Sequence, residues 1–168
     1  MNISRYLDVD LIKLEMESEV DPPEEGEYSQ RQILEVKETI LSELVDLMEK
    51  SGKVSNKNKL FIDLMNREKK ASTGIGEGIA IPHVRTMQAR EFIVVIGRNL
   101  EGYEFDSMDG EPVRLFFCMA APPYDDNLYL KVFKELAERF EYPGFIDNLL
   151  SAGDGHEIIR AFKITEQG

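Results

Sequence analysis

Two predominantly apolar runs, residues 92–96 and 113–120, most constrain the fold of this chain; the first is continuous, and the second is interrupted only by Arg114. A predominantly apolar run of this length is typical of a strand that is buried on both faces of a sheet. The dipeptide Asp109-Gly110 lies between the two runs and predicts a hairpin connection, so at least one strand pair is antiparallel. Residues 12–16 alternate between apolar and charged side chains, which predicts a further, half-buried strand.

Segments with helical periodicity separate and follow these strands. Ser29 and Gln32 have the spacing of a capping box, and the apolar residues that follow them, from Ile33 to Met48, recur at helical spacing. Further helices are predicted from Ser55 or Asn56 to about Glu68, from Asp125 or Asp126 to Phe140, over residues 145–150, and from Asp154 to Phe162. Because strands and helices alternate, we expect an α/β fold in which helices cover a mixed β-sheet.

The length of 168 residues suits one domain with a proper core, so residues 1–168 are expected to fold as a single unit. Residues 19–29 are acidic and contain Pro22-Pro23 and Gly26, a composition that breaks regular structure. This segment is therefore predicted to be an exposed loop, and the sequence assigns it no function.

Charge and composition argue against several classes of protein. The formal net charge of −12 argues against a nucleic-acid-binding surface, which would need clustered Lys and Arg. No apolar run reaches the ~20 residues needed to cross a bilayer, so direct membrane insertion is not expected. The single cysteine, Cys118, leaves no disulfide framework, which favours a cytoplasmic protein. Cys118 itself is expected to be a small, buried apolar side chain.

The most unusual stretch of the sequence runs from Thr73 to His83 and contains three glycines spaced G-x-G-x-G. It lacks the third glycine of a dinucleotide-binding fingerprint and the G-K-[ST] ending of a phosphate-binding P-loop. Pro82 fixes its own φ and favours an extended conformation for Ile81, which would hold His83 at the end of a strand. A histidine has a pKa near neutrality and can act as a nucleophile, a base or a metal ligand.

Chemistry alone leaves the roles of these residues open. A lone histidine is more often structural than catalytic, and Arg67 near a helix C-terminus has a simple explanation in the helix dipole. Its guanidinium can equally bind phosphate oxygens in bidentate fashion. A metal site is not favoured, because the second histidine, His156, is predicted to lie on the surface and neither histidine has further ligand residues at suitable spacing.

Residues 73–83, together with Arg67-Glu68, resemble the active-site signature of type-2 IIA domains of the bacterial phosphoenolpyruvate-dependent phosphotransferase system. These are the fructose-, mannitol- and nitrogen-type phosphocarriers. The resemblance implies a single α/β domain with a mixed sheet, and a phosphoryl group carried on His83. It also implies that residues 19–29 are a loop insertion, since this connection is usually shorter in the family.

The resemblance further implies partners and a set of groups around the phosphoryl site. The donor would be a histidine-containing phosphocarrier protein, the acceptor a IIB protein or a regulatory target, and no cofactor would be required. His83 is the expected nucleophile and Arg67 the expected phosphate-stabilising cation. The hydroxyl of Thr73 and the backbone amides of the glycine-rich turn are the expected further phosphate-binding groups: Gly74, Gly76 and Gly78.

The sequence departs from the family pattern at two positions. Members usually carry a second histidine at the start of the helix that follows the proline-rich loop, and Tyr129 occupies that position here. A tyrosine hydroxyl can donate a hydrogen bond to a phosphoryl oxygen, but it cannot carry a positive charge. Val84 also stands where a smaller residue is usual. Two functions therefore remain open: a phosphohistidine carrier, and a non-catalytic IIA-like module that regulates by binding a protein.

Overall fold

The computed structural model describes residues 1–125 and 127–166. Two short 3₁₀ helices, Ile3–Tyr6 and Val9–Leu11, precede the first strand. The strands are β1 (Ile12–Lys13), β2 (Gly74–Gly76), β3 (Ile79–Ala80), β4 (His83–Arg85), β5 (Ile93–Tyr103) and β6 (Val113–Ala121). The α-helices are α1 (Gln30–Glu49), α2 (Lys57–Lys70), α3 (Leu128–Arg139), α4 (Phe145–Ser151) and α5 (Gly155–Glu166).

The strands form one mixed sheet in the order β1-β5-β6-β3-β2, and β4 pairs with β6 further along the ladder that β3 begins. β5 and β6 form the predicted antiparallel hairpin, whose turn contains Asp109-Gly110. β3 and β4 both run parallel to β6, and β1 runs parallel to β5. The predicted single α/β domain with a mixed sheet is confirmed.

Each face of the sheet packs against a different group of helices, because successive strand residues point to opposite sides. Phe116 and Cys118 of β6 share one core cluster with Ile40 of α1. Phe117, between them in sequence, belongs to a second cluster with Phe162 of α5. The two apolar runs are thus buried on both faces, as their sequence pattern predicts.

The predicted helix starts agree with the capping contacts. Ser29 Oγ accepts a bond from the Gln32 amide at 3.2 Å, and Gln32 Oε1 accepts one from the Ser29 amide at 3.0 Å, which completes the capping box of α1. Asn56 caps α2 through its side-chain oxygen. Asp154 accepts a bond from a backbone amide in the first turn of α5 at 2.9 Å.

The start of α3 differs in detail from the prediction. Asn127 is the residue that precedes the helix, and its φ of 65° places it in the left-handed region that asparagine tolerates. Asp125 still contributes as a cap, because its Oδ2 accepts a bond from the Tyr129 amide at 3.2 Å. The alternative cap, Asp126, lies outside the described residues.

The first strand is shorter than the alternation of residues 12–16 predicts. Only Ile12–Lys13 pairs with β5 as a ladder. The carbonyl of Leu14 instead accepts a bond from the side chain of Arg98 at 3.2 Å, which competes with regular strand pairing. Met16 returns to the sheet through a single backbone bond to the Arg98 carbonyl at 2.9 Å and is buried.

Residues 14–29, between β1 and α1, contain neither helix nor strand. The predicted loop is therefore confirmed, while its description as an insertion stays a prediction. Within the described part of the chain, no helix combines the length and apolar character that crossing a membrane requires.

Candidate phosphoryl-transfer site

His83 lies at the sheet edge where the glycine-rich segment joins β6. β3 ends at Ala80, and the ladder resumes at His83, which pairs with Met119 of β6. Pro82 explains the interruption, since it has no N–H to donate, although its carbonyl still accepts a bond from the Met119 amide at 2.8 Å. The sequence suggested that His83 lies at the end of the strand that precedes it. In the structure His83 is instead the first residue of β4.

The imidazole of His83 is held in one tautomer by the backbone. Nδ1 lies 2.7 Å from the carbonyl oxygen of Ile81, and a carbonyl can only accept, so Nδ1 carries the proton. In the neutral ring the lone pair is then on Nε2. A ring held in this way can attack an electrophile through Nε2 without first losing a proton.

The surroundings of His83 favour the neutral imidazole. Burial of the half-buried ring is the main cause that lowers the pKa of His83, and the positive charge of Arg67 lowers it further. The Ile81 carbonyl and the charge of Glu68 act in the opposite direction, but the net pKa is below the ordinary value for histidine. The nucleophilic form is therefore the one that predominates at neutral pH.

Two aromatic side chains from α3 flank the imidazole. The Phe133 ring meets it edge to face, with a centroid separation of 5.3 Å. The Tyr129 ring lies at 6.1 Å and is tilted by 31°. The structure thus brings Tyr129, which the sequence placed at the position of the family's second histidine, next to His83.

Arg67 lies in the last turn of α2 and is close enough for its charge to act on His83. Its Nη1 donates to the carbonyl oxygen of Ala71 at 3.0 Å, just beyond the end of the helix. This bond uses one of the five N–H donors of the guanidinium and leaves its charge in place. Arg67 therefore has the proximity and the donors that the sequence prediction requires.

Thr73 is not arranged as a ligand-binding hydroxyl. Its side chain is buried, and its Oγ1 donates to Glu68 Oε1 at 2.6 Å, so its single proton is already used. The Thr73 amide donates to the other oxygen of Glu68 at 2.8 Å, and Lys37 donates to the same oxygen at 2.9 Å. The phosphate-binding role predicted for Thr73 does not agree with this geometry; Thr73 instead fixes the start of β2 to α2.

Two of the three glycines lie away from His83. The carbonyl of Gly78 accepts bonds from the amides of Arg114 and Leu115, at the beginning of β6. Leu115 is four residues before Met119, the partner of His83, a separation of ~13 Å along a strand. Gly76 pairs with Ile79 at the same end of the sheet, so the structure does not bring Gly76 and Gly78 to His83.

The glycines are explained by the turn that they form. Gly76 and Gly78 have φ values of 100° and 78°, which allow the tight connection between β2 and β3. Gly74 lies closer to the site, but its carbonyl accepts a bond from the Met108 amide, and a Cβ on it would lie 2.8 Å from the Cα of Ser107. These residues bring β2 against β3 and the hairpin, and they thereby position the segment that carries His83.

Arg85 is a further residue near the site that the sequence analysis did not identify. It is two residues after His83 in β4, so both side chains leave the strand on the same side. Its guanidinium carbon lies 5.0 Å from the centroid of the Tyr129 ring. The spacing H-x-R after the proline is the signal that would have indicated it.

The remaining candidate residues lie elsewhere. His156 is exposed in the first turn of α5, as predicted. Cys118 is fully buried, and burial raises the pKa of its thiol. Among residues 1–125 and 127–166, no group of three or more His, Cys, Asp and Glu side chains is arranged to hold a metal ion.

The fold agrees with the similarities of the chain to known proteins. Residues 27–164 match the family described as "Phosphoenolpyruvate-dependent sugar phosphotransferase system, EIIA 2". The chain therefore belongs to the type-2 EIIA family of this phosphotransferase system. The match begins at residue 27, so most of the acidic loop lies outside it.

Curated relatives and solved structures of this kind are also similar to the chain. It is 37% identical over 101 residues to the PTS system fructose-specific EIIABC component of Bacillus subtilis, a match that covers 60% of this chain but only 16% of that protein. The PTS system fructose-specific EIIA component of Haloferax volcanii is 32% identical over 69% of this chain and 75% of its own length. The crystal structure of the nitrogen regulatory protein IIA-Ntr from Neisseria meningitidis superimposes with a TM-score of 0.78 at 27% identity, covering 95% of this chain and 98% of that one.

Proposed function

We propose that this protein is a cytoplasmic phosphohistidine carrier that accepts a phosphoryl group on Nε2 of His83. The observation that supports this most directly is the 2.7 Å contact between Nδ1 and the Ile81 carbonyl, which leaves the lone pair on Nε2. Membership of a phosphotransferase family supports the same chemistry. The proposed donor is a histidine-containing phosphocarrier protein, and the proposed acceptor is a IIB protein or a regulatory target.

The proposed transfer requires no proton to be added to His83 or removed from it. The Nε2 lone pair forms a bond to phosphorus while the P–N bond of the donor's phosphohistidine breaks, and its electron pair returns to the donor imidazole. The His83 ring becomes positively charged, and its Nδ1–H remains donated to the Ile81 carbonyl. That carbonyl therefore both selects the tautomer and stabilises the charge that develops.

The cation and the aromatic side chains around His83 have separate proposed roles. Arg67 would stabilise the phosphoryl oxygens, because a guanidinium binds them more strongly than neutral donors do. Phe133 packs edge to face against the ring and would limit the access of water to it, which would slow hydrolysis of the P–N bond. The hydroxyl of Tyr129 would donate to a phosphoryl oxygen, and replacement of this hydroxyl is expected to shorten the lifetime of the phosphoform.

Two observations support a IIB protein as the proposed acceptor: the name of a related protein and the net charge of this chain. The fructose-specific relative from Bacillus subtilis is named as an EIIABC component, which joins an A component to B and C components. The net charge of −12 favours docking with a basic protein surface over binding to nucleic acid. Direct insertion of this chain into a membrane forms no part of the proposal.

A regulatory IIA-like module is the second candidate, and a specific observation favours it. Tyr129 lies beside His83 where the family usually has a second histidine, so the chain lacks the positive charge that such a histidine can supply. The similarity to a nitrogen regulatory protein points in the same direction. In this case the module would signal by binding a protein, with slow phosphotransfer or none.

One experiment separates the two candidates. The protein is incubated with phosphoenolpyruvate, enzyme I and a histidine-containing phosphocarrier protein, and the mass increase of an acid-labile phosphoryl group is measured by mass spectrometry. We expect the wild type and His156→Ala to form the adduct and His83→Ala to form none. His156→Ala is the matched control, because His156 is exposed in the first turn of α5, a different element from the β4 strand that carries His83.

Each unfavourable result has a distinct meaning. No adduct on the wild type with several cognate carrier preparations would overturn the carrier function and favour the regulatory module. An adduct that persists in His83→Ala would overturn the assignment of the site while leaving the carrier function standing.

A further inference from the structure

The side chains of His83 and Arg85 emerge on the same side of β4, and Tyr129 contacts both of them. Two residues of extended strand span ~6.6 Å, so the long arginine side chain can reach the region beside the imidazole. The Tyr129 ring lies 6.1 Å from the His83 ring and 5.0 Å from the guanidinium carbon of Arg85. The aromatic face that borders the histidine therefore also supports a cation.

The backbone and side chain before α3 hold the guanidinium on this face. Nη2 of Arg85 donates to the carbonyl oxygen of Asp125 at 3.0 Å and to Oδ1 of Asn127 at 2.9 Å. Both acceptors are neutral oxygens, so neither neutralises the positive charge. These bonds engage Nη2 alone, and Nη1 and Nε carry three further N–H donors.

The residues at the start of α3 make the contacts that hold Arg85 beside the Tyr129 ring. Asn127 adopts a left-handed conformation, with φ of 65°, and its side chain makes no capping bond to the helix. The same side chain binds Arg85 instead, while Asp125 supplies the capping contact through the Tyr129 amide. Backbone strain at Asn127 is thus accompanied by contacts that orient Arg85 and Tyr129 together.

We propose that Arg85 is a second phosphoryl-binding residue, which stabilises the phosphorylated form of His83 in place of a second histidine. This inference rests on the proposed function. Tyr129 can donate one hydrogen bond but carries no charge, whereas the arginine stacked on its ring supplies both charge and donors. The ligand is a phosphoryl group with negatively charged oxygens, bound between Arg67 on α2 and Arg85 on β4.

The test compares four variants with the wild type: R85Q, R85K, Y129F and R114Q. R85Q removes the charge and keeps most of the side-chain length, and R85K restores the charge without the planar fork. Y129F removes the hydroxyl and keeps the ring on which Arg85 stacks. R114Q is the matched control, because Arg114 lies near Gly78 at the opposite end of β6 from the partner of His83.

Two readouts are measured on each folded variant: the half-life of the phosphoform, and the pH titration of its phosphoryl group by phosphorus-31 NMR. Phosphoramidate, a small-molecule phosphoryl donor, is used in parallel with the phosphocarrier protein. We expect R85Q to shorten the half-life by about 10- to 100-fold, the range for loss of a charged hydrogen bond. R85Q should also raise the pKa of the phosphoryl group, since a nearby cation has been removed.

R85K is expected to lie between the wild type and R85Q in both readouts, and R114Q to match the wild type. Y129F should keep the phosphoryl pKa close to that of the wild type, because its ring still supports Arg85. A half-life of R85Q within twofold of the wild type would overturn the proposal. A shortened half-life with an unchanged phosphoryl pKa would also overturn it, by showing that Arg85 acts only on the structure.

The same measurements distinguish failure of the proposed function from failure of the inference about Arg85. If the wild type forms no adduct with either donor, then the carrier function is wrong and the role of Arg85 falls with it. If the wild type forms the adduct and R85Q is indistinguishable from it, then only the inference about Arg85 is wrong.

Discussion

At the scale of single residues, the proposed phosphoryl chemistry depends on one hydrogen bond to His83. The bond from Nδ1 to the Ile81 carbonyl joins residues only two positions apart, so it is set by the local path of the chain through Pro82. Burial and Arg67 then lower the pKa of His83, and so keep the ring neutral. The Ile81 carbonyl thus fixes the tautomer of His83, and burial and Arg67 favour the neutral ring, as the proposed nucleophilic role requires.

An NMR titration of His83 tests this account. We expect its pKa to lie below the ordinary value of ~6.5, which is also the value in the unfolded chain. The unfolded state then binds more protons than the folded state in this range. The free energy of unfolding should therefore fall as the pH is lowered through ~6.5 towards the pKa of the folded state. Urea unfolding across this range should show a smaller loss in His83→Ala than in the wild type, with His156→Ala as the control.

A His83 pKa at or above the ordinary value would contradict this expectation. It would indicate that the Ile81 carbonyl and Glu68, which both favour the charged ring, outweigh burial and Arg67.

At the scale of elements, a buried ion pair connects the two helices on one side of the sheet to the segment that precedes His83. Lys37 on α1 and Glu68 on α2 are each 3% exposed, and their charged groups are 2.9 Å apart. Glu68 also accepts both bonds from Thr73 at the start of β2. The pair therefore holds α1, α2 and the glycine-rich segment in one relative position, with Arg67 next to it in sequence.

Lys37→Met is expected to destabilise the protein by about 3–5 kcal/mol, because it leaves the buried Glu68 charge without its partner. Urea unfolding measures this loss. The matched control is Arg31→Gln, which removes the exposed i,i+4 pair with Glu35 on the same helix and should cost less than about 1 kcal/mol. Equal effects of the two substitutions would show that burial of the Lys37 pair has no energetic consequence.

At the scale of the whole molecule, the sheet separates two hydrophobic cores that share its central strands. β5 and β6 contribute alternate residues to both cores, so neither set of helices can leave without exposing the sheet. Cys118 lies in the middle of β6, and its side chain is fully buried. Burial also raises the pKa of its thiol, so the reactivity of Cys118 is a measure of how often β6 becomes exposed.

We expect Cys118 to react with a thiol reagent only when the whole domain unfolds. The labelling rate should then follow the equilibrium for global unfolding, with the same dependence on urea as the loss of circular dichroism. Fast labelling in the absence of urea, or labelling that is independent of urea, would show that β6 becomes exposed through local opening.

Local sequence is sufficient to predict the features that depend on neighbours along the chain. The capping box at Ser29 and the turn at Asp109-Gly110 are local patterns, and both were predicted correctly. The two apolar runs also predicted strands buried on both faces, because their composition reports burial directly. His83 stands out in the same way, after the proline and glycines that precede it, but its expected role came from the resemblance to type-2 IIA domains.

Which distant residues meet His83 depends instead on how the chain folds. The register of β3 and β4 against β6 carries Gly76 and Gly78 away from the site, and no local pattern in the sequence encodes that register. Whether the hydroxyl of Thr73 is free depends on Glu68 in another element, and the position of Arg85 depends on the start of α3, about 40 residues later in the chain. Such contacts follow from how the elements pack, and packing is a property of the whole folded chain.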